Sequence, residues 1–259
     1  MLDKDLLKNL KKRGFVVINI KKKNELKKIR IQFCKFLKKE LKIKKINSNK
    51  IKDIDYFLNN FHKIRHNGKN LNLLRTTLIK KINKNEIMIE KFFKIFENDL
   101  KKLLGQDIVG QRKVNLVIQE PGDKSVAPIH RDSPPNSPHE IVFWLPLVNC
   151  YHTKSISILD SQFTERVNKM FNNESFNYKK IENFFKKNSS FIDCHFGQVL
   201  LFLTKNFHYV PINKESETRF SFNFRFKNLF SKYGSKLYPE YFKIMKFTKN
   251  SKLQIFKNA

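Results

Sequence analysis

Two histidines and an aspartate are the residues in this chain whose types and spacing could do chemistry. His130-Arg131-Asp132 sets an imidazole and a carboxylate two positions apart, and His208 offers a second imidazole downstream. Two imidazoles and one carboxylate on one face of a metal form the facial triad that suits non-haem Fe(II), because the remaining positions stay open for a chelating co-substrate and O2. Arg219, eleven residues beyond His208, adds a guanidinium, whose planar fork pairs bidentately with a carboxylate. Metal site and carboxylate anchor together point to Fe(II), 2-oxoglutarate and O2 as the working set. His130, Asp132 and His208 are then the expected ligands and catalytic residues, with Arg219 and Ser221 holding the far carboxylate of 2-oxoglutarate.

A His-x-Asp tripeptide is weak by itself in a chain with 7 His and 23 acidic residues. The elements around it make it specific. The turn-forming Pro121-Gly122-Asp123 precedes His130 and the apolar run Ile141 to Val148 follows it, which places the pair at the mouth of two strands. His208 follows a second such unit, in which Gly197 feeds the buried strand Val199 to Leu203. Ligands gathered at strand ends around a barrel mouth are where pockets form. The segment Arg219 to Phe226 alternates strictly, so that Arg219, Ser221, Asn223 and Arg225 share one face and Phe220, Phe222, Phe224 and Phe226 the other. Its polar face carries Arg where Lys dominates elsewhere, which favours a wet cavity over bulk solvent. Asn223, Arg225 and Trp144 are candidate substrate contacts. Asn115 and Gln119, on one face of the strand Val114 to Gln119, are weaker candidates for the cofactor pocket, and Lys154 is an alternative anchor acting as a point charge.

Several blocks have no catalytic reason to recur and still match a known pattern. Asn115 to Ser125, Pro128-Ile129-His130-Arg131-Asp132, Glu140 to Val148, Thr153-Lys154-Ser155 and Glu217 to Lys227 together resemble the sporadic carbohydrate-cluster 2-oxoglutarate/Fe(II) oxygenases, relatives of the phytanoyl-CoA-type hydroxylases. The resemblance covers about residues 107 to 240. It implies a double-stranded β-helix, a requirement for Fe(II) and 2-oxoglutarate, and a place in sugar or surface-polysaccharide modification. One departure is Tyr209 after His208, where the pattern has Gly. Arg219 and Arg225 stand about 20 Å apart along an extended strand. Only one of them can then sit beside the iron, and the 11-residue step from His208 together with the Arg-x-Ser resemblance selects Arg219. Hydroxylation is expected over halogenation, since Asp132 fills the position a halide would take.

Composition bounds the rest. A length of 259 residues with 40% hydrophobic content and 26 Phe suits one large core with an extension. A net charge of +30 ordinarily suggests nucleic acid or an anionic membrane. Only 9 of the 53 basic residues are Arg, however, and the lysines are spread along the chain, which is the mark of an AT-rich coding sequence rather than of selection for phosphate contacts. The expected partner is a small-molecule or glycan substrate, with no nucleic acid. The three cysteines, Cys34, Cys150 and Cys194, lack Cys-x-x-Cys spacing and read as reduced thiols. With Met1 to Arg13 charged throughout, and Ile141 to His152 as the longest uncharged run, neither a signal peptide nor a membrane span is expected, and the location inferred is cytoplasmic.

The fold class that follows is α+β with a mainly β core: a jelly-roll or cupin-like barrel over residues 107–259, with a helical insertion at 161–188, and a strand plus helical support region over 1–106. Residues 2 to 12 read as a helix and Gly14 to Ile20 as a strand. Helical stripes then follow at Leu26 to Leu41, at Ile54, Phe57, Phe61 and Ile64, at Leu71, Leu74 and Leu78, and at Ile89 to Leu103, the last closed by Gly105. The insertion is equally consistent with a lid or with surface elaboration. Competing functions are an AlkB-type nucleic-acid demethylase, favoured by the Arg-x5-Arg spacing of Arg219 and Arg225, a non-catalytic cupin-like or lectin-like module, and a zinc hydrolase on the same triad.

Overall fold

The computed structural model describes residues 3–43, 50–65, 70–124, 126–171 and 177–248. Leu2, Ser125 and residues 172–176 of the expected insertion lie outside them. Helix α1 (Asp3–Arg13) and strand β1 (Phe15–Asn19) are followed by helices α2 (Lys23–Leu41), α3 (Ile51–Asn59), α4 (Phe61–Ile64), α5 (Leu71–Ile82) and α6 (Ile87–Leu104). Strands then take over: β2 (Ile108–Gln111), β3 (Asn115–Gln119), β4 (Ala127–His130), β5 (Ile141–Pro146) and β6 (Ser157–Ile158). After helices α7 (Ser161–Phe171) and α8 (Tyr178–Asn188) come β7 (Ser190–Phe191), β8 (Gln198–Leu203), β9 (His208–Val210), β10 (Arg219–Asn228) and β11 (Phe242–Lys246).

If β3 to β10 are counted as strands one to eight, the larger sheet carries the order one, eight, three, six and the smaller sheet two, seven, four, five. Apart from strands four and five, which are neighbours in the smaller sheet, consecutive strands alternate between two antiparallel sheets, which is the double-stranded β-helix, a two-sheet jelly roll. The larger sheet is extended at one end by β1, paired with β8 from Phe15↔Phe202 to Asn19↔Gln198, and at the other by β2 and β11. Residues on both sides of position 107 therefore share one hydrophobic core.

Strand β10 explains how that core is organised. Its four phenylalanines are fully buried, and they meet aromatic rings from the helices: Phe33 of α2 packs on Phe220 and Phe222, Phe61 of α4 on Phe220, and Phe92 of α6 stacks on Phe224 with centroids 4.3 Å apart. The helical layer covers the outer face of the larger sheet and leaves the alternate residues of β10 facing the other sheet. Each buried Phe contributes about 1.5–3 kcal/mol from burial and each favourable ring pair about 0.5–1.5 kcal/mol more. Phe224→Ala removes a ring that also contacts Phe96, Phe143 and Phe226. It is expected to cost about 3–5 kcal/mol in urea unfolding; a loss below about 1 kcal/mol would show that the helical layer is not packed on β10 in this way.

Two sequence readings are refined by the packing. The single stripe from Ile54 to Ile64 is broken at Asn60, because the carbonyl of Asn59 accepts a hydrogen bond from Thr218 N–H at 2.7 Å and His62 Nδ1 meets Thr218 Oγ1 at 2.8 Å. The break ties the helical layer to the residue preceding Arg219. The insertion forms α7 and α8, whose Val167, Ile181 and Phe185 pack with Ile129 and Phe207. Those last two residues directly precede His130 and His208 in the chain. The described insertion is thus a buttress on the outer face of the smaller sheet rather than a lid over its inner face. Among the described residues, no helix is long and apolar enough to cross a membrane.

Candidate metal centre

His130 ends β4 and His208 begins β9, and the two are direct cross-strand partners with ring centroids 4.2 Å apart. Antiparallel pairing therefore brings residues 78 positions apart in the chain onto one spot. Asp132 follows β4 on a loop fixed by Ser133 N–H donating to Thr204 O and by Asn136 donating from both its backbone and its side chain to Asp132 O. One ligand atom from each of His130, Asp132 and His208 lies within 4.8 Å of the others. His130 Nε2 is 3.8 Å from Asp132 Oδ1.

The ring orientations follow from the neighbouring carbonyls. His130 Nδ1 lies 2.7 Å from Pro128 O and His208 Nδ1 lies 3.1 Å from Asn206 O. A carbonyl oxygen can only accept, so each Nδ1 carries the proton and each Nε2 keeps its lone pair for a metal. Burial, with help from His130, pushes the pKa of His208 down to about 4, so that ring is neutral at ordinary pH. Burial works against the charge of Asp132, but the positive charge around it, led by the Arg225 guanidinium, outweighs burial and holds the carboxyl below its usual range. The donor set is thus two imidazoles that present Nε2 and one carboxylate, the combination that suits Fe(II).

A cavity of about 320 Å³ opens onto these ligands, walled by Val117, Trp144, Phe202, Arg219 and Asn223 from the larger sheet and by His130, His208 and Val210 from the smaller. Arg219 is fully buried on this wall. Among the described residues, Nη1 donates to Ser155 O at 3.1 Å and Nε has no hydrogen-bond partner. Burial lowers its pKa to about 10, which still leaves it charged at neutral pH. Among the described residues no carboxylate lies within ion-pair distance of it, and a buried cation so placed is costly. The same face of β10 and its neighbour β3 carries further buried polar atoms with no partner: Ser221 Oγ, Asn223 Oδ1 and Gln119 Oε1. Of these, Arg219 Nε and Ser221 Oγ can donate to a bound carboxylate, whereas the two amide oxygens can only accept, so the donors on this wall fit a dicarboxylate co-substrate beside a metal.

The other sequence candidates fall in different places. Trp144 and Asn223 are cross-strand partners and both line the cavity. Gln119 spends its amide on Pro211 O at 2.7 Å, and Asn115 is exposed at the start of β3. Lys154 does not line the cavity: it is buried against Glu217 at 2.6 Å and Asn59 at 2.9 Å, contacts that tie the turn before β6 to the end of α3. Arg225, read from the sequence as a substrate contact, is likewise absent from the cavity wall and instead donates to Asp132 Oδ2 at 2.6 Å. The expectation that only one arginine of β10 sits beside the metal is corrected: Arg225 meets Asp132, so the second arginine also touches a candidate ligand. Sequence reasoning missed Glu140, which is buried beside Arg225, although a lone acid heading the apolar run Ile141 to Val148 is the signal that could have drawn attention to it.

No family model matches the sequence, and no curated protein matches it. Solved structures do resemble the fold. A non-heme monooxygenase, ThoJ in complex with nickel, aligns with a TM-score of 0.54 at 12% identity over 98% of this chain and 95% of that one. AviO1 from Streptomyces viridochromogenes Tue57 gives a TM-score of 0.56 at 12% identity over 90% of this chain and 97% of its own. SnoN, an epimerase from nogalamycin biosynthesis seen with Fe3+, alpha ketoglutarate and nogalamycin RO, gives 0.52 at 11% identity over 92% and 90%.

Proposed function

We propose that the protein is an Fe(II)- and 2-oxoglutarate-dependent oxygenase that hydroxylates a sugar, a nucleotide sugar or a related carbohydrate-pathway metabolite. The observation that carries this reading is Arg219: a buried guanidinium, unpaired at Nε, on the wall of the cavity that also holds the His130, Asp132 and His208 ligand set. A binding module has no use for an uncompensated buried cation beside a metal triad. The fold shared with non-heme, alpha ketoglutarate-dependent proteins supports the same cofactor pair. The sugar substrate rests on the resemblance of residues 107 to 240 to the sporadic carbohydrate-cluster oxygenases.

When bound, Fe(II) with 2-oxoglutarate and O2 supplies the oxidising power to break an unactivated C–H bond, with succinate and CO2 as co-products. The chain's own residues do the positioning. His130, Asp132 and His208 would hold the metal. Arg219, with Ser221 on the same strand face, binds the 5-carboxylate. Val117, Ile156, Phe202 and Val210 exclude water from the cavity, which strengthens every charge interaction inside it. Trp144 and Asn223 present the substrate-facing surface, an aromatic plane and an amide. The test is turnover of the purified protein with Fe(II), 2-oxoglutarate and O2 against panels of nucleotide sugars and lipid-linked glycans. A product heavier by one oxygen, formed with equimolar succinate, supports the assignment. Turnover of other small-molecule classes alone would overturn the sugar assignment, and an iron-loaded protein that yields no succinate with any substrate would overturn the oxygenase.

A further inference from the structure

The strand that carries Arg219 also carries a second buried guanidinium, Arg225, three residues before its end. Arg225 Nη2 donates to Asp132 Oδ2 at 2.6 Å, and Nη1 reaches Gln111 Oε1 at 3.3 Å and Tyr241 Oη at 3.4 Å. Its Nε lies 3.8 Å from Glu140 Oε2, and both of those atoms are buried without a hydrogen-bond partner. Glu140 has no exposed surface, and its other oxygen accepts from Ser137 N–H at 2.7 Å. Arg225 therefore sits between two carboxylates at opposite ends of the 132–140 loop. Asp132 at its start is a candidate metal ligand, and Glu140 at its end leads directly into β5.

This arrangement divides the work of the Asp132 carboxylate. Oδ2 is committed to Arg225, whereas Oδ1 faces His130 Nε2 at 3.8 Å, on the side where the ligand atoms converge. A carboxylate free to rotate could offer a metal both oxygens and close a position that the chemistry needs open. A charge-assisted bond to one oxygen prevents that and fixes the direction of the other. We propose that Arg225, backed by Glu140, is a positioning residue that holds Asp132 to single-oxygen coordination and keeps one metal position open. The proposal rests on the oxygenase reading only for its purpose; the clamp itself is a property of metal binding.

Removing a buried charge that faces two carboxylates can unfold the protein outright, so two variants are paired. Arg225→Lys keeps the charge but loses the second arm of the fork. Arg225→Met combined with Glu140→Gln removes one positive and one negative charge together. Both are titrated with Co(II) in place of Fe(II), without 2-oxoglutarate, following the d–d absorbance that reports coordination number and ligand field. The clamp is supported if the Co(II) dissociation constant rises about 10- to 100-fold in the double variant and less in Arg225→Lys, with a changed band shape in the double variant. A merely structural role would lower the melting temperature without altering the spectrum of the metal-bound form. Wild-type affinity and band shape in Arg225→Lys, or in a folded double variant, would overturn the proposal. Titration of the wild type with 2-oxoglutarate separates the two claims: a failure there sinks the oxygenase reading and leaves the clamp to be judged on Co(II) alone.

Discussion

Arg219→Lys is expected to raise the 2-oxoglutarate concentration needed for half-saturation about 10- to 100-fold while leaving iron affinity close to that of the wild type. The guanidinium is buried and charged, with Nε unpaired. A carboxylate docked against it gains a two-pronged, charge-assisted contact in a site screened from water. Lysine restores the charge but not the fork, and a charged hydrogen bond is worth about 1.5–3 kcal/mol. Anaerobic titration of the Fe(II) form, read by metal-to-ligand charge-transfer absorbance, measures this directly. An unchanged midpoint would remove Arg219 as the anchor. Lys154 would be a poor replacement, since its ammonium is already taken by Glu217 and Asn59.

His130→Ala gives the cleanest test of the metal site, because its side chain is 37% exposed, against 12% for Asp132. The variant should melt near the wild-type temperature, lose more than about a hundredfold in Fe(II) affinity, which exceeds the loss typical of an outer partner, and form no succinate. Asp132→Ala should also abolish turnover, but it additionally strands Arg225 and Glu140 in the interior, so a lowered melting temperature is expected to accompany it. Undiminished succinate formation in His130→Ala would exclude that residue as a ligand.

The parts of this molecule that were legible in the sequence are those written in local periodicity. The alternation of Arg219 to Phe226 fixed both faces of β10, and the structure buries every Phe of that face under the helices. The helical stripes at α2, α5 and α6 and the turn glycines Gly105 and Gly197, both with positive φ, were readable for the same reason. The short strands were not. β4, β7 and β9 are two to four residues long, too few for a period to show, and they exist because long-range pairing such as His130↔His208 makes them strands. Chemistry gave the identity of the candidate ligands, whereas their partners depend on tertiary contact. That is why Arg225 read as a substrate contact and Lys154 as an anchor: neither the carboxylate that Arg225 meets, 93 positions away, nor the Glu217 that meets Lys154, 63 positions away, is visible in a local window.

The central claim is that one cavity holds a metal on His130, Asp132 and His208 and a dicarboxylate on Arg219 at the same time. Adding 2-oxoglutarate to the anaerobic Fe(II)-loaded protein tests it most directly. The expected result is a metal-to-ligand charge-transfer band that saturates at one equivalent and that requires Fe(II), with succinate failing to produce it because succinate lacks the 2-oxo group. A protein that binds Fe(II) stoichiometrically through the triad yet shows no such band at any 2-oxoglutarate concentration would contradict it.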